Sequence, residues 1–140
     1  MILRDAVADD VAALARVLGD WCRETPWMPN LHSRAEDAWF VGEMLKTHVM
    51  RVGFADGFGF LARKGPEIDA LYLAPPARGQ GLGRALLNEA KAVGHLGLWT
   101  FQANVAARAF YRREGFAEMR LTDGAGNAER LPDVRMEWRA

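Results

Sequence analysis

The chain has 140 residues, half of them hydrophobic and 26% charged, the balance of an ordinary soluble globular protein. Its 18 basic and 18 acidic residues cancel, so no net field favours nucleic acid or an anionic membrane, and no apolar run approaches the ~20 residues of a membrane span. The single cysteine, Cys22, excludes an internal disulfide and any cysteine-based metal cluster. One domain covering residues 1–140 around one core is the expectation at this length. The opening enters charged sequence at Arg4 and Asp5 without a secretory pattern, which points to the cytoplasm.

Met1 to Arg4 reads as a short strand. Asp9 or Asp10 is placed to cap a helix in which Val11, Leu14, Leu18 and Trp21 recur at helical spacing, ending near Cys22 or Arg23 ahead of Pro26. Thr25 to Leu31 (TPWMPNL) is a proline-containing loop rich in large apolar groups. Ser33 and Glu36 form a capping box, so a second helix runs from about Arg34 to Lys46, with Ala35, Ala38, Trp39 and Leu45 expected inward. Strands follow at His48–Phe54, Phe58–Lys64 and Ile68–Leu73, separated by the turn residues Asp56-Gly57 and Lys64-Gly65-Pro66, which implies antiparallel hairpins. A third helix follows a glycine-rich turn and stops near Gly94. Leu96 to Phe101 is a strand, Asn104 caps a fourth helix ended by Glu114-Gly115, and Phe116–Thr122 pairs with Val134–Trp138 around the loop Asp123–Asp133. The order βααβββαβαββ predicts a mixed α/β (α+β) domain with one central sheet.

The most informative stretch is Leu71 to Leu96. Within Arg78-Gly79-Gln80-Gly81-Leu82-Gly83-Arg84 the glycines alternate, so the backbone amides are unshielded just where a helix begins. Free N–H groups, a helix dipole and two arginines make this turn a site for a pyrophosphate. It is not a P-loop, because no Lys-Ser or Lys-Thr follows. It is not the dinucleotide fingerprint either, since Arg84 stands where the third glycine belongs. A tight strand-to-helix turn needing glycine for its own geometry is the plain alternative.

The pattern that fits is Arg-x-x-Gly-x-Gly, occupied by Arg78, Gly81 and Gly83. Downstream, Asn104 stands seven residues before Tyr111, and Gly115-Phe116 follows shortly after. Both motifs, in this order, resemble the signatures of the GCN5-related N-acetyltransferases, the GNAT superfamily, and the element order matches that fold from end to end. The resemblance implies acetyl-CoA as cosubstrate, and the scattered histidines, without ligand spacing, lead to the expectation of no metal. It implies that the thioester lies where the fourth and fifth strands splay apart, and that its pantetheine arm pairs with backbone near Leu71 and Leu73. Asn104 would hydrogen-bond that arm, and Tyr111 would protonate the leaving thiolate. A phenol (near ~10) lies little above a thiol (near ~8.5), so that transfer costs little.

The acceptor ammonium must also lose a proton. Glu67 and Asp69 share strand parity with Leu71 and Leu73, which assigns all four to one face. Glu67 falls where histone-type members carry a general-base glutamate; a solvated turn residue after Pro66 is the equal alternative. In the branch that acetylates a ribosomal protein's N-terminal alanine, a base glutamate stands five residues before the asparagine, and here that residue is Trp99. Cys22 reads as a buried, inert thiol, and His32, His48 and His95 lack ligand spacing.

The segments Trp21–Trp39 and Thr122–Asp133 correspond to those that border the acceptor site in the superfamily. The first offers Trp27, Met28, His32 and Trp39, the second Asp123, Asn127 and Glu129. Aromatic faces beside carboxylates suit a cation with an apolar body. The expected partner is therefore a small-molecule or peptide amine, with monomer and homodimer both open. Two other readings stand beside the enzyme: a non-catalytic acyl-CoA sensor and a nucleotide-binding domain.

Overall fold

The computed structural model describes residues 1–140. Seven strands form one mixed sheet in the order β1-β2-β3-β4-β5-β7-β6: β1 (Ile2–Asp5), β2 (Val49–Phe54), β3 (Phe58–Lys64), β4 (Glu67–Leu73), β5 (His95–Phe101), β6 (Ala117–Thr122) and β7 (Asp133–Arg139). Helices α1 (Val11–Glu24) and α2 (Arg34–Thr47) precede β2, α3 (Leu82–Ala90) joins β4 to β5, and α4 (Val105–Arg113) joins β5 to β6. The order is the one expected. Neighbouring strands run antiparallel except β4 and β5, which are parallel because a helix returns the chain between them. The last hairpin lies in the sheet with β7 inside, between β5 and β6.

Two apolar layers flank the sheet. On one face Leu14, Ala15 and Val41 of α1 and α2 pack on Met50, Val52, Phe60, Ala62 and Ala70. On the other, Leu82, Leu86, Leu87 and Ala90 of α3 meet Leu61, Ile68, Leu96, Leu98, Val134 and Met136, with Tyr111 and Phe116 from the α4 end.

Several local expectations hold at the atomic level. The Ser33 hydroxyl accepts from the Glu36 N–H at 3.1 Å, and the Glu36 carboxylate accepts from the Ser33 N–H at 3.0 Å. Asn104 Oδ1 accepts from the Ala107 N–H at 3.2 Å, while Gly94 (φ 98°) and Gly115 (φ 96°) take the left-handed conformation that ends a helix. Others differ. Asp10 does not cap α1: its carboxylate takes the Val7 N–H at 2.8 Å and both ends of the Arg4 guanidinium, fixing a single 3-10 turn at Ala8–Asp10. Trp39 is not inward but 61% exposed. Asp37 and Val41, four residues apart, define the buried side of α2, and Trp39 stands about 200° from Asp37 on the helical wheel. That helix carries apolar groups all round, so periodicity could not choose its face.

The buried Asp37 explains how α1 and α2 dock. Arg23 Nη1 donates to Asp37 Oδ2 and to the Gly19 carbonyl, both at 3.0 Å, and Nη2 reaches the His32 carbonyl at 3.0 Å. Removing the guanidinium leaves a carboxylate in a dry seam. We expect Arg23→Met to lower stability by about 2–4 kcal/mol in urea denaturation, discounted because Arg23 is partly exposed. Lys46→Met, which breaks only the exposed pair with Glu43, should change it by no more than about 0.5 kcal/mol.

Candidate active site

β4 and β5 are paired only at Glu67↔Gly97 and Ile68↔Leu98. Beyond these they diverge, and a cleft of about 690 Å³ opens between them. Backbone from Asp69 to Leu73 forms one wall, and Leu98 to Phe101 the other. The glycine turn closes one end, α4 lies against the side that carries α3, and Trp21 of α1 reaches in from the opposite side.

The sequence-predicted binding residues converge here. Gly79 (φ 73°) and Gly81 (φ 82°) hold left-handed backbone, and a Cβ at either would meet nothing within 4 Å. Glycine is needed for conformation, and the space above it is free. Gly83 differs: its backbone is not left-handed, and an added Cβ would rest in ordinary contact with the Phe110 ring and Leu73 at 3.5 Å. Arg78 donates Nε–H to the Leu73 carbonyl at 3.2 Å, tying the turn to the end of β4. Arg84, Leu71, Leu73 and Asn104 also line the cleft. Gln80 and Leu82 do not. Gln80 is exposed beside it, and Leu82 is fully buried in the core, so only its backbone is available to a ligand.

Tyr111 is 8% exposed, with its ring against Phe110 and Phe116 at centroid distances of 5.2 and 5.4 Å. Its hydroxyl has no hydrogen bond within the chain, yet no buried side-chain polar atom lacks a partner, so the oxygen opens onto the cleft. Burial pushes the phenol well above its ordinary value. Tyr72, which the sequence reading used only as part of a strand, lines the same cleft, and burial raises its phenol too, with smaller contributions from Cys22, Tyr111 and Glu129. Burial likewise raises the Cys22 thiol, as an inert cysteine requires.

Glu67 is not brought to the cleft. Arg135 Nη1 donates to both of its carboxylate oxygens, at 2.8 and 2.7 Å, in a separate cavity with Gly97 and Glu137. The guanidinium crosses Gly97, where any Cβ would collide with it, and stands 5.8 Å from the Trp99 ring. The parity argument fails for a physical reason. β3 and β4 slip register between Ala62↔Ala70 and Arg63↔Ile68, so Asp69 is a bulged residue. Ile68 therefore packs in the layer that Leu71 and Leu73 join, while Ala70 and Tyr72 belong to the other. Glu67 and Asp69 are on the α1/α2 side, and of the two only Asp69 lines the cleft.

On that side the aromatic groups form a connected wall. Trp21 meets Tyr72 at 5.6 Å and Trp27 at 5.8 Å, and Trp27 meets Phe101 at 5.8 Å, all edge to face. The other expected acceptor residues are placed elsewhere. His32 meets Phe40 at 4.9 Å and Trp39 meets Phe40 at 5.1 Å, both edge to face and outside the cleft lining. Asp123 accepts from the Ala125 N–H, and Asn127 donates to the Leu131 carbonyl and Asp133, so both hold their own loop together.

A forked parallel pair, a glycine turn at a helix start and a tyrosine hydroxyl thus meet at one cleft, and the comparison with known families places the chain among acyltransferases. A family model described as acetyltransferase (GNAT) domain matches residues 36–118, and the chain belongs to that family. Solved structures agree on the fold. A GCN5-related N-acetyltransferase from Rhodopseudomonas palustris superposes with a TM-score of 0.79 at 21% identity, over 99% of this chain and 95% of that one. The ribosomal-protein-alanine N-acetyltransferase of Brucella melitensis gives 0.74 at 23%, over 100% of both chains. A phosphinothricin acetyltransferase from Sinorhizobium meliloti, in complex with AcCoA, gives 0.72 at 23%, over 99% of this chain and 87% of that one.

Tyr72 and Tyr111 are the chain's two tyrosines. A spectroscopic titration therefore reads the cleft directly. The unfolded chain should form tyrosinate with a midpoint near ~10. The folded protein should show less than about half of that signal at pH 11. A phenol raised by folding lends stability that is complete below the unfolded value and is lost as pH rises through the folded one. Unfolding should therefore accompany any late appearance of tyrosinate.

Proposed function

We propose that this protein transfers the acetyl group of acetyl-CoA directly to a primary amine, with Tyr111 protonating the departing thiolate. What carries the reading is the free Tyr111 hydroxyl inside a fork whose far end is the unshielded glycine turn. Amides of the turn and the first turn of α3, with Arg78 and Arg84, suit the pyrophosphate. Leu71 and Leu73 offer backbone to the pantetheine arm as a strand edge would, and the Asn104 side-chain N–H₂ remains free after its oxygen caps α4. Tyr111 is protonated throughout the working pH range. The surroundings that raise its phenol also disfavour a thiolate, so the proton passes between two groups desolvated together.

The acceptor enters from the α1/α2 side, past Trp21, Tyr72 and Phe101. Those faces, with Asp69 at the fork, support an ammonium on an apolar body. Glu67 serves in this reading as the anchor of Arg135 and does not meet the amine.

Calorimetry with acetyl-CoA should show saturable binding, with NADH and ATP as weaker comparisons. Gly81→Asp places a carboxylate over the anion site on left-handed backbone and should weaken acetyl-CoA by at least about 100-fold. No binding by the unaltered protein would reduce the glycine turn to a turn and end the reading. Tyr111→Phe should retain acetyl-CoA affinity and lose about 10²- to 10⁴-fold in kcat at pH 7, measured by thiol release. Unchanged turnover at every pH would remove Tyr111 as the acid.

A further inference from the structure

Asp69 is the first residue of β4 beyond the last β4–β5 pair, and it is also the bulged residue. Both facts put its carboxylate at the apex of the fork on the α1/α2 side, where it lines the cleft and is 46% exposed. Asp69 Oδ2 lies 2.6 Å from Nε2 of His48, which joins α2 to β2 and is only 12% exposed. The other ring nitrogen, Nδ1, lies 2.7 Å from Thr47 Oγ1, and that hydroxyl donates to the Glu43 carbonyl at 3.2 Å. A polar chain therefore runs from the cleft into the end of α2. Asp69 Oδ1 is left without a partner in the chain.

The hydrogens decide what this chain can do. The chain admits the tautomer in which the Thr47 proton goes to Glu43, Nδ1–H donates to Thr47, and the Nε2 lone pair faces the carboxylate ready to take a proton. A separation of 2.6 Å is that of a hydrogen bond, so a proton shared between Nε2 and Oδ2 fits the geometry. Neighbouring charges are committed elsewhere. On α1, Arg23 is held by Asp37 and Asp20 by Arg34; on α2, Glu43 pairs with Lys46. On β3, Arg63 turns to the Gly65 carbonyl, and on β4, Glu67 is held by Arg135.

We propose that Asp69 accepts the proton lost by the incoming ammonium and that His48 stores it. The inference rests on the acetyltransferase reading. One N–H bond of the ammonium breaks, its electron pair stays on nitrogen as the attacking lone pair, and the proton binds the Asp69 carboxylate. It comes to rest between Oδ2 and Nε2, leaving an imidazolium beside a carboxylate, and returns to solvent after product leaves. A carboxylate alone is a poor base for this step, because ordinary carboxyls lie about six units below alkylammonium groups. An imidazole behind it supplies an intermediate stop. Asp69 is the catalytic residue, and His48 is a positioning residue that acts through it.

The test is the pH dependence of kcat/KM between pH 6 and 9.5, with the fastest acceptor from a panel of primary amines that includes phenethylamine. His48→Gln leaves a polar side chain beside Asp69 but cannot take up a proton. At pH 7 it should lose about tenfold and Asp69→Asn about 100-fold, both deficits shrinking toward pH 9.5 as the amine arrives neutral. Acetyl-CoA affinity should stay within about twofold of the parent in both variants. A parental pH profile in both, or deficits that do not change with pH, would overturn the inference and leave the acetyltransferase reading standing. An unaltered protein that binds no acetyl-CoA, or acetylates no amine, would overturn that reading and this inference together, before any variant is made.

Discussion

β4 has two neighbours up to Ile68 and one beyond it, and the site depends on that loss. Each strand of the fork is held firmly on its outer edge. β3 stays with β4 as far as Gly59↔Leu73, and β7 accompanies β5 from His95↔Arg139 to Phe101↔Asp133. The inner edges then face each other across a gap too wide for hydrogen bonds, and their N–H and C=O groups lie in a partly dry groove. Such groups are costly unless something pairs with them. In an open cleft they can turn to solvent. An extended chain carrying amides at strand spacing would serve better, and the open edge is in that sense a template for an added strand. The core cannot close the fork, because Phe110 and Tyr111 stand on one side and Trp21 and Tyr72 on the other.

The bulge at Asp69 decides which chemistry meets the fork. One extra residue moves everything before it to the opposite face of the sheet. Without it Glu67 and Asp69 would share the α3 side with Leu71 and Leu73. With it Asp69 turns toward α1 and α2, within reach of His48, while Glu67 is drawn to Arg135 above Gly97. The register shift carries both acidic residues to the α1/α2 side, and the end of β4–β5 pairing at Ile68 then separates them. One becomes part of the cleft and the other part of the scaffold.

Much of this was legible in the sequence because it is local. Turn glycines, the Ser33–Glu36 box, Asn104 as a cap and the alternation of strands with helices follow from backbone conformations that a few adjacent residues dictate. The order of elements and the glycine turn were therefore readable, whereas the gathering of Arg78, Asn104 and Tyr111 at one cleft followed only from the resemblance to the acetyltransferases. What could not be read depends on partners far along the chain. The bulge is set by pairing with β3, and Arg135 is 68 residues from Glu67. Trp39 was misplaced because apolar groups surround α2 and Asp37 turns a charge inward to meet Arg23. Tyr72 was missed because a tyrosine in a strand carries no local mark of opening onto a gap. Gly97 was the one available hint of the Arg135 crossing, since a glycine within a strand often marks close approach by another group.

In the proposed reaction the two layers of the fold divide the proton traffic. Tyr111 reaches the fork from the α3/α4 layer, where burial keeps its phenol protonated. Asp69 reaches it from the α1/α2 layer, with His48 behind. A donor and an acceptor on opposite sides of one gap match a transfer in which the amine approaches from one side and the thiolate leaves toward the other. Such a path needs no covalent intermediate on the protein. Cys22 fits that economy: it is half-buried, and burial together with the Asp37 charge raises its thiol, so it is disfavoured as a thiolate nucleophile. In that reaction the sheet would hold the two ends apart, and they would meet where the β4–β5 hydrogen bonding stops.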